Sequence, residues 1–162
     1  STTTATASLT GSPFTISTAS NRIVLGNSGV TNAYIQVAWT VTSDARDKTD
    51  VAPITHGLDF LDQLNPVTFK WDKRSSYWVK DENGNVIERP EPDGTHKEAQ
   101  PFAGFLAQEV QQAIDVTGFP DDVIIDKEQE DLLKIKETAL IPVLVKAVQE
   151  LKARVEALEA GV

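Results

Sequence analysis

The chain contains no cysteine and no methionine. Without cysteine it can form no disulfide and offers no thiolate to a metal, which fits a reducing compartment. Methionine is missing even from position 1, so we expect the tail of a longer protein. Histidine is scarce. His56 and His96 stand alone, far apart and with no ligand cluster around them, and a structural or solvated role is expected rather than a metal site. No apolar run reaches the roughly 18 residues that cross a bilayer, and no signal peptide is visible. Gly26-Asn27-Ser28-Gly29 lacks the lysine and following helix of a phosphate loop. Nothing asks for a cofactor. The net charge of −9 argues against nucleic acid or an anionic membrane as the main partner.

The most informative shortage is of acid near the start. Residues 1–42 hold no Asp or Glu and one base, Arg22, among ten Thr, six Ser and three Asn. All 24 acids and 14 of the 15 bases follow, so residues 43–162 carry 14 − 24 = −10. Two unlike polypeptides meet at Ser43. We therefore divide the chain into residues 1–42 and residues 43–162, with a coiled coil over 138–162.

Residues 1–20 offer β-branched side chains but little to bury. Arg22-Ile23-Val24-Leu25 reads as a strand ended by the Gly26–Gly29 turn. Ala33–Val41 reads as a second strand, with Ala33, Ile35, Val37, Trp39 and Val41 on one face. Two strands do not make a stable domain. They should finish a larger β-structure upstream or pair with other copies of themselves.

Beyond the junction, Ile54, Leu58, Leu61 and Leu64 predict a short amphipathic helix from Pro53 to Leu64. Val67, Phe69 and Trp71 alternate as a strand. Tyr77–Val79 and Val86–Glu88 flank Asp81-Glu82-Asn83-Gly84-Asn85, a hairpin signal. The prolines and Asp93-Gly94 between Arg89 and Gln100 predict a mobile loop on an exposed protrusion. Phe102–Leu106 is expected to enter a helix closed by Gly118 and Pro120. Val123-Ile124-Ile125 reads as a small buried strand and Leu132–Lys136 as another. The carboxylates of Glu98, Asp121 and Asp122 are expected to be solvated surface rather than an acid–base pair.

At the C-terminus Ile141, Leu144, Val148, Leu151, Val155, Leu158 and Val162 are spaced 3-4-3-4-3-4. This is an a/d seam, with the Ile and Val residues at a and Leu at d, and Pro142 tolerated in the first turn. Arg154 at g and Glu159 at e can pair between parallel helices. A single amphipathic helix packed on its own domain is the alternative. The narrow seam, ringed by Lys146, Gln149, Glu150, Lys152, Glu156 and Glu159, favours self-association. β-Branched a with Leu at d is the pattern of two strands.

At the junction itself, Ser43 and Lys48 are the parts of a nucleophile and its base. The carbonyl before Ser43 belongs to Thr42. Attack on it would give an ester that water could open, cutting between Thr42 and Ser43. A Ser and a Lys at this spacing are common, and taken alone Ser43-Asp44 reads as a turn or cap.

The ordered set of motifs is far more specific. Ser43, Asp44, Arg46 and Lys48 match Ser-Asp-x-Arg-x-Lys. Gly57-Leu58-Asp59-Phe60-Leu61, Leu64-Asn65-Pro66-Val67, Phe69-Lys70-Trp71, Gly104–Val110 and Ala147–Leu151 follow in order. From Ser43 to Val162 the chain resembles the C-terminal intramolecular chaperone autoprocessing domains of phage tailspikes, endosialidases, tail fibres and neck appendages. Asp47 departs from the apolar residue often found there.

The resemblance implies an α+β fold: a small mixed domain with a protruding hairpin arm and a C-terminal trimeric coiled-coil helix, preceded by the end of a triple-β-helix-like stalk. It implies a homotrimer that registers and folds its own N-terminal passenger. Ser43 then acts as nucleophile and Lys48 as base in self-cleavage at Thr42-Ser43, with Asp44 and Arg46 as supporting residues. Residues 73–100 are expected to be the arm that grips the passenger. The three-helix seam overrules the two-strand preference read above. Assembly is expected in the bacterial cytoplasm, with the passenger kept in the virion tail and the chaperone released. The alternative is a non-catalytic trimer or adhesin tip that stays on the fibre.

Overall fold

The computed structural model describes residues 23, 25, 30, 33–129 and 131–161. Its elements run α1 (Leu58–Leu61), β1 (Val67–Lys70), β2 (Val79–Lys80), β3 (Val86–Glu88), β4 (Pro101–Gly104), α2 (Ala107–Thr117), α3 (Asp121–Ile124), β5 (Ile125–Gln129), β6 (Leu132–Ile135) and α4 (Leu140–Ala160), with single 3-10 turns at 45–47, 74–76 and 137–139. Three two-stranded sheets form among the described residues, β1 with β4, β2 with β3 and β5 with β6. The α+β expectation holds at this level. The residues divide into two compact units, 42–68 with 103–161, and 69–102 with the described residues before 42.

The first of these units is organised by the apolar spacing of α2 and α4. Val110, Ala113 and Ile114 lie on one face of α2, and Leu140, Val143 and Ala147 on one face of α4. Both faces are buried, as spacings of three and four require. Between them sit Phe60, Phe119, Ile124 and Ile125, with the Phe60 and Phe119 rings stacked at 4.7 Å. Gly118 ends α2 at φ +73°, where a left-handed residue costs glycine nothing, and its N–H donates to Ile114 O at 2.8 Å.

Several expectations change here. The helix predicted from Pro53 shrinks to the single turn α1, and Ile54 lies outside it, exposed. The buried anchor is Phe60 rather than the Leu58 and Leu61 face. The cause is Gly57. A Cβ on it would come within 2.6 Å of Glu150 Oε2, and the backbone there is not helical. Leu58 N–H donates to that same Oε2 at 2.9 Å, so a carboxylate from α4 starts α1 in place of a cap from its own segment. Phe102-Ala103-Gly104 forms strand β4 instead of entering the helix, with Phe102 and Gly104 half-buried in alternation. Val123 and Ile124 belong to one helical turn, not a strand. Two aspartates, Asp121 and Asp122, favour a helical first turn after Pro120, and the strand begins only at Ile125. Leu132–Ile135 is a strand as expected, paired antiparallel with β5.

In the other unit the hairpin is where the sequence places it. Asp81 accepts from Asn83 N–H and Asn85 N–H at 2.9 and 2.8 Å, and Gly84 takes φ +85°. The 89–100 loop is tied down by Tyr77. Its hydroxyl donates to Asp72 Oδ1 at 2.7 Å and accepts from Gly94 and His96 N–H at 3.1 and 3.0 Å. The strand expected over Ala33–Val41 does not form. The backbone bends at Gln36 and Val37, and Tyr34, Trp39 and Val41 are exposed. A strand needs a partner for its N–H and C=O groups, and none pairs with this stretch among the described residues. The Arg22–Leu25 strand and the Gly26–Gly29 turn, Ile23 and Leu25 apart, lie outside the described residues, as does Val162.

Candidate functional site

A chain leaving residue 42 must turn at once, because Asp44 folds back on its own successors. Its Oδ1 accepts from Arg46 N–H at 2.9 Å and from Arg46 Nε at 3.1 Å, and its Oδ2 from Arg46 Nη2 at 2.7 Å. The side-chain bond from Arg46, then its backbone N–H, holds the Asp44 carboxyl below the usual aspartate range. This cap makes residues 45–47 a 3-10 turn, closed by Lys48 N–H donating to Ala45 O at 3.2 Å. Ser43 and Lys48 flank the turn. Five residues of chain thus bring Lys48 Nζ to 2.6 Å from Ser43 Oγ. Thr42, Ser43 and Lys48 are all exposed. Arg46 is committed to Asp44, so its charge is neutralised beside the pair rather than aimed at Lys48.

A hydroxyl in hydrogen-bond reach of an amine is the minimum geometry for a serine nucleophile and a lysine base. The other acid candidates are dispersed. Glu98 binds Lys73 at 2.7 Å and Asp121 binds Lys127 at 2.6 Å. His56 pairs with Asp59 at 2.7 Å and packs edge-on to Phe119. His96 packs against Tyr77.

The second feature is α4. Its buried face, Leu140, Val143 and Ala147, is not the predicted seam. Ile141, Leu144, Val148, Leu151, Val155 and Leu158 form a separate stripe, each at least 49% exposed. The helix therefore has two apolar faces, one used by its own unit and one bare. Residues 151–161 are exposed throughout.

Sequence reasoning missed the latch between Glu150 and the Gly57–Leu58 peptide. Leu58 N–H, then Lys146, holds the Glu150 carboxyl below the usual glutamate range. With a depressed folded value, the latch is complete above the usual range and is lost as pH falls through that lower value. The only signals were a glycine before a helix start and an acid seven residues after Val143.

Fold and site together define a small α+β domain with a self-contained core, a bare helix face and a hydroxyl–amine pair at its entry. Residues 43–124 match the Peptidase S74 family, described as chaperone of endosialidase. The match begins at Ser43 and covers just over half of the chain, which belongs to this family. Membership supports an intramolecular chaperone role, in association with a passenger protein, and the family name couples that role to a peptidase. No curated protein matches the chain.

Proposed function

We propose that this chain gathers three copies at the end of a fibrous phage-tail passenger, helps that passenger fold, and frees itself by cutting Thr42–Ser43. The passenger then stays in the virion tail and the chaperone in the bacterial cytoplasm. The observation that carries the reading is the 2.6 Å approach of Lys48 Nζ to Ser43 Oγ, beside the Thr42 carbonyl. In the reaction a neutral Lys48 amine takes the Ser43 hydroxyl proton. Oγ adds to the Thr42 carbonyl carbon, the C–N bond to Ser43 breaks, and the lysine proton passes to the departing nitrogen. One water then opens the ester, leaving a Thr42 carboxylate and a free Ser43 hydroxyl and amine.

A charged amine cannot accept that proton, and withdrawal from water favours the neutral form. Lys48 is exposed in the single chain, so the reading requires assembly to cover it. The bare stripe on α4 supplies the means. An isolated helical segment as short as 151–161 is marginal in water, and partners along Leu151, Val155 and Leu158 would hold it. Slow, high-contact-order stalks gain most from ends held together.

Asp44 serves as a positioning residue. Asp44→Ala is expected to leave the domain folded and slow cleavage about tenfold, the scale of a lost cap. Because the Asp44 carboxyl is depressed, the cap is intact above the aspartate range and lost as pH falls through its folded value, so the wild-type rate should fall in acid. Rates followed by denaturing gel across pH check both. Residues 73–100 form the arm in this reading. Deleting Tyr77–Gln100 should leave a soluble trimer that yields no folded passenger, and a normal passenger yield would exclude the role.

The exposure of Lys48 also favours a second reading, a permanent trimer tip that never cuts. Intact mass under denaturing conditions separates the two. Fragments 1–42 and 43–162 support self-cleavage, and an uncut chain in an assembled trimer supports the tip.

A further inference from the structure

Resting on the seam reading above, we infer that the interface between copies extends past the helices, through insertion of Val145 of one copy into an apolar groove beside α4 on the next. The groove measures about 410 Å³, and its walls include Leu64, Val67, Phe105, Leu140, Ile141 and Leu144. Ile141 and Leu144 are also the first two seam residues, so groove and seam are one continuous apolar surface.

Heptad geometry chooses the occupant. With Ile141 and Val148 at a, Leu140 and Ala147 fall at g, Val143 and Glu150 at c, and Val145 at e. The c and g positions face the body of their own unit. Leu140, Val143 and Ala147 are buried there, and Glu150 binds Leu58 N–H. The groove therefore lies on the g flank. On the opposite, e flank, Val145, Lys152 and Glu159 are exposed. In a parallel bundle the e flank of each helix meets the g flank of its neighbour, so Val145 faces the neighbouring groove. The later e positions, Lys152 and Glu159, are charged, as e positions at a solvated rim usually are. Val145 alone is apolar, and it is 53% exposed within its own chain. It is also the e position level with the groove. A contact of this kind is directional: each copy inserts into the next, and the ring closes by rotation.

The absence of cysteine makes the test clean. Val145→Cys and Val67→Cys are combined in the full chain and oxidised with diamide, which takes up the two thiol hydrogens as the disulfide forms. Covalent oligomers on a non-reducing denaturing gel, absent from either single variant, are the expected result. An assembled oligomer without these cross-links, or with the link within one chain, overturns the groove contact and leaves the seam standing. A chain monomeric before oxidation overturns both. Val145→Lys provides the independent check. It alters an exposed residue, so the circular dichroism spectrum should not change, while the dissociation constant of the oligomer rises about tenfold or more. Lys152→Ala, one heptad on, should have no comparable effect. Equal affinity of Val145→Lys and wild type would overturn the proposal.

Discussion

Ser43→Ala should leave the chain whole at 162 residues under conditions in which wild type separates into 1–42 and 43–162. The hydroxyl lies 2.6 Å from Lys48 Nζ and belongs to the residue that follows the Thr42 carbonyl, and alanine offers no substitute. Lys48→Ala should block cleavage almost as fully, because loss of a general base costs a factor of about 10²–10⁴. Lys48→Arg is the more telling variant. It keeps the charge and the reach, but a guanidinium stays protonated and cannot act as base. It too should stay uncut. If Lys48→Arg cleaves at the wild-type rate, lysine contributes only charge or packing and the base assignment falls. Ser43→Cys retains a nucleophile at the same position and should keep measurable cleavage. All four proteins can be followed by intact mass over the hours after refolding. Their oligomeric state should be recorded alongside, because an uncut monomer and an uncut oligomer have different meanings.

Leu151→Asp should dissociate the oligomer while leaving the domain folded. Val143, on the other face of α4, belongs to the core with Phe60, Val110 and Ile114, and the residues from 151 onward are exposed. Full burial of a leucine contributes about 1.5–3 kcal/mol. Aspartate forfeits this and carries a carboxylate toward a dry seam, where an unpaired charge costs several kcal/mol more. At about 1.4 kcal/mol per tenfold, association should weaken by at least about a hundredfold. Sedimentation equilibrium on wild type and variant measures this directly, and the wild-type mass also decides between three strands and two. If Leu151→Asp assembles as tightly as wild type, the stripe is not the interface. If the variant is monomeric and also uncut, cleavage depends on assembly, as the exposure of Lys48 requires.

The hairpin shows how local chemistry could be read without the fold. Asp81 and Gly84 form the turn from residues within five positions of one another. The close of α2 at Gly118 is equally local, since a left-handed residue is needed and glycine supplies it. The Ser43–Lys48 approach is also built locally, although Ser43-Asp44 read alone pointed only to a turn or cap. Asp44 and Arg46 wind the turn between them, so a motif of six residues carries its own geometry.

The sequence by itself determined the division of composition at Ser43, the hairpin, the termination of α2 and the long C-terminal helix. Each rests on interactions within a few residues or on a periodicity repeated over several turns. Tertiary structure decided the rest. It chose which face of α4 is buried, because the c/g face meets α1 and the core while the a/d stripe does not. It shortened the Pro53 helix to one turn, because Glu150, 92 positions away from Leu58, supplies the acceptor at the helix start. It withheld the Ala33–Val41 strand, because alternation creates a face but only a neighbouring strand can satisfy the backbone. Periodicity names a surface; contacts between residues distant in sequence decide what covers it.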